Sequence, residues 1–592
     1  MALRLVTALA LALLLPAAAP AAPERGGAPA AGPDAAAPDG LDVMAFIPEP
    51  LRAGIRARRS TADLTPYLRE ALATGRALRF PAGTYPVCGS LPQASGQLLL
   101  GDGVTSTILK VGPCYQGSAA VIEVAVGDSS GIDRIGIVFD QSGATSRDTL
   151  RRYPWAIDVR NASRYKIGHL RLSNAWNGIN GHQPVEGPNP GGLQIDLLEL
   201  GMFNQGLLID GALDFVHVTS VHCFPFDFAA DPELMAVWGD GQGTCVEFGR
   251  ADGLDVKAIT TFQNKVVARA HGCCTAQGCC KGAARHIAQI QLDGDRAAYI
   301  HEDGDVMLGQ VSSTKGADAR ADGPALLVKG GTVLVQSLRL TGGTLAPSLR
   351  VTGGLLSVLG GHVEQLVGRF PAAEVTGGRL MMSNTALAVQ EGARLEAGFL
   401  SQDGGGVLVA TNNTALNAPG AGALVRIGTD LAGHRVAGND FNGWGYGLPP
   451  GARRGQYGPN RVAPFPWTPV LARQAPGAPP RGAAQQGRYW YAEDGLHFEG
   501  RVVAPADPSW RPRLPLRIGG LPVRGDASLA SRPVTLGEIG GLGPIPLTAF
   551  LSAADGAIVV TGPGDAPARG STGAPDPGGP LAIGFSGFLP LR

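Results

Sequence analysis

The chain has 592 residues with 49 basic and 49 acidic side chains, a formal net charge of zero, and no basic block interleaved with aromatics that would suit a nucleic-acid groove. Its 87 Gly and 46 Pro would suit a disordered chain, but 44% of residues are hydrophobic, which excludes that class and assigns most glycines to turns. A solenoid grows by adding repeats, so this length does not demand several average domains.

Residues 1–22 have the form of a secretory signal: Arg4, an apolar run from Leu5 to Leu15, and Ala17-Ala18-Ala19 as a cleavage site. An uncleaved N-terminal anchor is the alternative, although the run is shorter than the ~20 residues a membrane helix needs. The expectation is a secreted protein, periplasmic or extracellular, with no membrane span. Residues 23–41 form a Pro/Ala/Gly linker. Ser60 to Gly75 places Leu64, Tyr67, Leu68, Ala71 and Leu72 at helical spacing, with Thr61 or Asp63 as N-cap and Gly75 as the stop. Such a helix would cover the first, otherwise open, coil of a solenoid.

From Arg79 the pattern is short strands punctuated by turns. RFPAGTYPV reverses at Pro81-Ala82-Gly83, and Leu98-Leu99-Leu100 runs into Gly101-Asp102-Gly103. Ile132–Asp140, Tyr165–Leu172, Leu193–Leu200, Phe215–Val221 and Leu254–Thr260 each alternate apolar with polar residues, as strands do when one face fills a core. Val328-Lys329-Gly330-Gly331 recurs as Val351-Thr352-Gly353-Gly354 and Val375-Thr376-Gly377-Gly378, at spacings of 23 and 24 residues. Asn384-Thr385-Ala386-Leu387 returns as Asn413-Thr414-Ala415-Leu416. A period in the low twenties is one β-helix coil of three short strands with their turns. Periodicity is lost after Asp440, and RYWYAEDGLHFEGRVV reads as an antiparallel hairpin. The expected fold is therefore all-β: a right-handed parallel β-helix over residues 42–460 with an N-terminal capping helix, then a small antiparallel β-sandwich over 461–592.

The eight cysteines suit an oxidising compartment. Cys88 and Cys114 lie in the first coils, Cys223 and Cys245 flank a long excursion, and Cys273, Cys274, Cys279 and Cys280 make the cluster CCTAQGCC. Two local disulfides and a doubly stapled hairpin are one reading. A four-thiolate metal site at the cluster is the other, against which stands the adjacency of the cysteines in each pair.

Carboxylates, aromatics and histidines are densest between Trp176 and Asp255. The segment Phe224 to Thr244 exceeds a coil turn, and long loops on rigid scaffolds concentrate function. Glycoside cleavage needs two carboxyl groups about 5 to 10 Å apart, and coils stacked at about 4.8 Å supply that spacing between neighbours. Asp227 and Asp240 in the loop, with Glu247 and Asp214 on adjoining coils, are the catalytic candidates. Trp238, Phe224 and Trp176 are candidate sugar platforms, and His222 is placed to polarise an acid. The bland reading of an Asp in so Gly-rich a chain is a turn cap. A second acidic run, His301-Glu302-Asp303-Gly304-Asp305, near Asp293 and Asp295, offers hard oxygen ligands for Ca²⁺ if the chemistry is that of a lyase, or is a solvated turn.

RFPAGTYPV, LLLGDGVTSTILKV and IGIVFD together resemble the opening coils of the pectate-lyase-like superfamily, which includes rhamnogalacturonase, epimerase and tailspike β-helices. The block Leu207 to Phe262 is similar to tailspike-like members, and WTPVLA, GRYWYAEDGLHFEGRV and IGGLP resemble the terminal β-sandwich of phage tail proteins. The resemblance implies a partner that is an extracellular or capsular polysaccharide, cleaved by hydrolysis or β-elimination, and a monomer or homotrimer. A non-catalytic glycan-binding adhesin and a prophage tailspike are the alternatives. Of the polygalacturonase signature, the β-helix region keeps only an Arg-x-Lys, at Arg164-Tyr165-Lys166. Fold likeness alone does not name a substrate.

Overall fold

In the computed structural model, residues 40–440 are described apart from 184–189, 226–230, 270–273, 276–277, 280–284, 316–322, 343–345, 366–369, 390–399 and 417–422; beyond 440 the description covers mainly strands. The signal-like segment and linker therefore lie outside the described residues.

Thirty-three strands join into one sheet whose pairings are all parallel, wound as a right-handed β-helix. Its interior is a stack of aliphatic side chains in register. One column runs Leu78, Leu99, Ile132, Ile167, Ile195, Val218, Val256, Ile287, Leu308, Val335, Val358, Met382 and Ala410, each paired with the next across adjacent rungs. All are buried. Alternation sends the intervening residues outward, and many of them are polar.

The N-terminal end is closed by more than one helix. Helix α1 spans Glu49–Arg56 and α2 spans Thr65–Leu72. The sequence pattern foresees only α2, and overextends it at both ends. The N-cap position is held by Leu64 without a side-chain cap, not by Thr61 or Asp63; Asp63, one residue earlier, accepts from the Thr65 backbone N–H at 2.9 Å. Leu64, Leu68, Ala71 and Leu72 are buried against the first rung. α1 escapes pattern reading because within it only Ile55 is buried.

The repeats between 326 and 440 stack as their spacing predicts. Val328 pairs with Val351 and Val351 with Val375. At the corner that follows, Gly331, Gly354 and Gly378 all have left-handed φ, at 64°, 69° and 65°. A Cβ on Gly354 would stand 2.4 Å from Gly331 O, and one on Gly378 2.2 Å from Gly354 O, so backbone lies directly on backbone. The second repeat is offset from its letters. Leu387 pairs with Ala415, not Leu416, because the left-handed Asn384 and Asn412 (φ 50° and 56°) mark equivalent corners. Leu416 is consequently 52% exposed. The buried asparagines instead form a ladder: Asn413 Oδ1 accepts from Thr385 N at 3.0 Å, Asn439 Oδ1 from Asn413 N at 2.9 Å, and Asn460 Oδ1 from Asn439 N at 2.9 Å.

The C-terminal strands, from Phe465–Trp467 to Leu581–Pro590, pair antiparallel throughout. The expected hairpin joins Ala484–Ala492 to Gly495–Ala504, and Phe498, Val502, Ile583 and Phe585 are buried there.

The rungs from 166 to 328 differ from the rest. Strands β1 (Lys166–His182), β2 (Gln194–Asp210), β3 (Ala212–Cys223), β4 (Ala251–Phe262), β5 (Arg285–Asp293) and β6 (Asp305–Thr314) form one face, several of them long. The excursion between β3 and β4 contains helix α3, Pro232–Gly239. Asp231 caps it, accepting from Glu233 N at 3.0 Å and Leu234 N at 3.1 Å, while Pro232 occupies the first turn.

Candidate functional site

Two disulfides form as the cysteine positions suggest. Cys88–Cys114 links the first coils, and Cys223–Cys245 closes the base of the α3 excursion with Cα atoms 5.8 Å apart. Cross-linking a loop of this size removes denatured-state entropy equivalent to about 3 kcal/mol. In the CCTAQGCC cluster Cys274 pairs antiparallel with Cys279, so the backbone does form a hairpin there; Cys273 and Cys280 lie outside the described residues.

Beneath the stapled loop, register assembles an outward-facing row. Arg171 pairs with Glu199, Glu199 with His222, His222 with Thr260, Thr260 with Gln291; two residues along, Phe262 pairs with Asp293. Glu199 is held firmly: Arg171 donates to it through Nε at 2.9 Å and Nη2 at 3.2 Å, and His169 Nε2 lies 3.0 Å away. Burial would raise its carboxyl pKa, but Arg171 and His169 outweigh burial and hold it below the ordinary range. Asp293 has the opposite fate. Burial pushes its pKa up, opposed by the Gln291 amide, which donates at 2.8 Å, and by His222. Burial likewise lowers the His222 pKa, opposed by Glu199 and Asp293. The rings of His222 and Phe224 are 5.6 Å apart, as are those of Phe224 and Phe262, which gives the row an apolar shoulder.

The other expected site residues are dispersed. Asp227 lies outside the described residues. Trp238, expected as a sugar platform, is 2% exposed: it packs edge-on to Phe203 and its Nε1–H donates to Phe262 O at 3.1 Å, so α3 uses it to dock on the core. Trp176 is covered by the guanidinium groups of Arg147 and Arg152, 4.9 and 5.3 Å from the ring centre. Asp214 is exposed and accepts from its neighbour Phe215 N at 2.8 Å, the turn role of a local cap. It stands eight residues before His222 on the same strand, about 26 Å away. Glu247 is 5% exposed on the strand Thr244–Phe248, where Gln205 Nε2 donates to it at 3.1 Å and Arg269 Nε lies 3.3 Å away. Asp240 ends α3 and borders a cavity of about 290 Å³. Of the expected residues that are described, only His222 and Phe224 join the row.

The second acidic run is a turn. His301 is fully buried, with Nδ1 3.1 Å from the Tyr299 hydroxyl and Nε2 2.9 Å from Gly304 O. Asp303 Oδ1 accepts from Gly304 N at 2.7 Å, and Glu302 meets Lys329 at 3.0 Å and Arg269 at 3.3 Å. Among the described residues, no three His, Cys, Asp or Glu side chains converge as metal ligands. The Arg-x-Lys tripeptide is also structural: Arg164 has φ 52° and pairs with Asp128, and Lys166 lies 3.6 Å from Asp196.

Glu199, Arg171, His169 and Phe262 were missed by sequence reasoning, and Asp293 entered only as a neighbour of the second acidic run. Their signal was the polar position of an alternating strand, which every outward residue shares.

No protein-family model matches this chain, and no curated protein matches it in sequence. Solved structures similar to it are right-handed parallel β-helices. The tailspike protein gp49 from Pseudomonas phage LKA1 is 12% identical, with 93% of this chain and 100% of that one covered and a TM-score of 0.38. The Pseudomonas phage phi297 tailspike gp61 is 10% identical, covering 92% and 98%, with a TM-score of 0.36. The A-module of the Azotobacter vinelandii mannuronan C-5 epimerase AlgE4 is 11% identical, covering 64% and 98%, with a TM-score of 0.28. At this identity no residue role passes from them to this chain.

Proposed function

We propose that this protein is an exported, polysaccharide-active β-helix that cleaves an extracellular or capsular glycan along the row centred on His222 and Asp293. The observation that carries the reading is the opposite treatment of its titratable groups. Burial keeps Asp293 protonated to higher pH than an ordinary aspartate, while His222 stays neutral to lower pH than an ordinary histidine. A carboxyl and an imidazole on one face, each shifted by burial toward its neutral form, suit the roles of general acid and general base. Phe224 and Phe262 supply a flank against which the apolar face of a sugar ring rests.

The spacing favours elimination over hydrolysis. Glu199 and the Gln291 level beside Asp293 are three rungs apart, about 14 Å. That exceeds the ~5 to ~9.5 Å that separates the carboxyl pairs of glycosidases, and Glu199 is occupied by Arg171 and His169. In elimination His222 removes the ring proton adjacent to a sugar carboxylate, the electron pair forms the C–C double bond, and Asp293 gives its proton to the departing glycosidic oxygen. Hydrolysis would need a further carboxyl group, for which Asp227 is the candidate in the loop.

Export is supported by the signal-like residues 1–22 and by two disulfides. The division into a β-helix over 42–460 and a sandwich over 461–592 belongs to the same proposal. The test is incubation of the purified protein with a panel of acidic and neutral polysaccharides. Unsaturated products absorbing in the ultraviolet, lost in His222→Ala, are expected. New reducing ends without unsaturation would move the chemistry to hydrolysis, and silence across the panel would remove the enzymatic reading.

A further inference from the structure

The face that carries His222 and Asp293 continues toward the N-terminal rungs. Phe224, Phe262 and Asp293 each stand two residues past the row of His222, Thr260 and Gln291. The same offset from Arg171 reaches Ser173, which pairs with Val138, and Val138 pairs with Lys110. At that end lies a cavity of about 400 Å³, lined by Lys110, Asp140, Ser142 and Asn174 from the rungs and by Asp231 and Leu234 from the start of α3. Val138 adds apolar surface to it.

The wall is built rather than incidental. Gln141 is 3% exposed and ties its turns together: Nε2 donates to Arg151 O at 2.9 Å and Asn174 O at 3.2 Å, and Oε1 accepts from Arg151 N at 2.8 Å. Asp140 Oδ1 accepts from Ser142 N at 2.9 Å. The Ser142 hydroxyl above all, with Lys110 and Arg151, holds the Asp140 carboxyl below its ordinary range against burial. Asn174 is an extra residue, since three positions separate Leu172 from Ala175 where two separate their partners Leu200 and Met202. Its φ of 59° is left-handed, and its Oδ1 is buried with no hydrogen-bond partner. An acceptor in that state costs free energy until a donor answers it. Carboxylates and a cation both line the cavity, so it can accept from and donate to hydroxyl groups without favouring an ion of either sign.

We propose that this cavity is a distal site for one neutral hexose unit of the glycan whose cleavage is assigned to His222. The proposal rests on the polysaccharide reading for the chain that joins the two places, and on the cavity for the sugar it takes. Asp140, Asp231 and Asn174 accept from its hydroxyls, Lys110 donates, and Val138 and Leu234 meet the apolar side of the ring. A volume near the small end of ligand pockets suits one sugar unit. Gly136, Arg171, Glu199 and His222 pair in succession, which puts the cavity three rungs, about 14 Å, from His222. A pyranose residue advances a glycan by about the height of one rung, so the hexose sits about three residues from the bond that is broken. Elimination at His222 needs a uronate and this cavity takes an uncharged sugar, so the polymer is a mixed repeat.

Saturation-transfer NMR on the full chain, with glucose, galactose, mannose and galacturonate as probes, tests it. At least one neutral hexose is expected to bind, ahead of galacturonate and with the same affinity in His222→Ala. Binding should weaken about tenfold in the Asn174→Gly/Asp140→Asn variant, which loses one acceptor and the charge of another. Glycine adopts the left-handed backbone at 174 without strain. Asp140→Asn alone, which keeps the acceptor for Ser142 N, carries the test if the double variant unfolds. A variant that melts like the wild type and keeps its hexose affinity overturns the proposal, as does loss of hexose binding in His222→Ala or a preference for galacturonate that Asp140→Asn and Asn174→Gly abolish. Equal cleavage of a uronate homopolymer and of mixed polymers overturns the mixed repeat. If a neutral hexose binds as expected but no polysaccharide is cut, the cleavage reading fails and the sugar site stands. If polysaccharides are cut in a His222-dependent way and no neutral hexose binds, the reading stands and this inference falls.

Discussion

The rungs between 326 and 440 and those between 166 and 314 share one interior and differ in what they show to solvent. In the later rungs repeats of 23 and 24 residues keep backbone pressed on backbone at Gly331, Gly354 and Gly378. Among the described residues no helix interrupts those rungs. In the earlier rungs strands lengthen, the spacing between stacked residues is 23 from Glu199 to His222, 38 from His222 to Thr260 and 31 from Thr260 to Gln291, and the surplus chain folds into the α3 excursion. Uniform coils make a scaffold, and a site requires that uniformity be broken over a core that does not change. The aliphatic column passes through both regions without interruption.

The contrast can be broken from either side. The largest effect is expected at Asp293: replacement by Asn should cut turnover by about a thousandfold, within the usual range for a lost general acid, while leaving the fold intact. Because burial raises the Asp293 pKa, its protonated form favours the fold at low pH, and that contribution is lost as pH rises through the raised pKa. Asp293→Asn should therefore raise the melting temperature relative to wild type at neutral pH and not at strongly acid pH. Activity should fall on the acid side as His222, with a pKa below 6.5, takes up a proton, and on the alkaline side as Asp293, with a pKa above 3.8, loses one. A pH–rate profile centred on the alkaline side of neutrality would contradict these roles.

In the regular half, Gly378→Ala should cost about 3 kcal/mol, from the left-handed backbone and the collision with Gly354 O. Denaturant unfolding reads this, and turnover at permissive temperature should be unaffected. Replacing Cys223 and Cys245 together by Ala should remove about 3 kcal/mol or less, with the loss concentrated in hydrogen-exchange protection of α3. Since Cys223 directly follows His222, glycan affinity should drop with it. The smallest effect is Asp231→Ala, about 1 kcal/mol from the lost α3 cap; an unchanged protection pattern in α3 would show that the helix is held by Trp238 packing alone.

The fold was legible because its signals are local. Turn glycines, strand alternation and the Val-x-Gly-Gly spacing each need only a short window of chain, and all three lead to the β-helix. The site was legible only in part. His222 and Phe224 were singled out because they lie in the stretch between Trp176 and Asp255 where carboxylates, aromatics and histidines are densest, which is again a local cue. Glu199 and Asp293 reach the row through register between rungs of unequal length, and the sequence carries no ruler for that. Trp238 was misread for a related reason: a tryptophan in a long loop reads as an exposed platform until the loop is seen to contain a helix that needs an anchor. The asparagine repeat shows the same limit at smaller scale, since equal letters at 384 and 413 fall one position out of step.

The glycine corners have a consequence for heredity. Each turn from Gly330 to Gly378 offers the next the same carbonyl in the same place, so the surface a rung leaves behind is the surface its predecessor presented. An in-frame duplication or loss of one such block of codons meets a seam that already fits. Length in that half is thus a quantity that lineages can alter in whole steps, while the half bearing His222 and Asp293 has no interchangeable unit and must be kept intact.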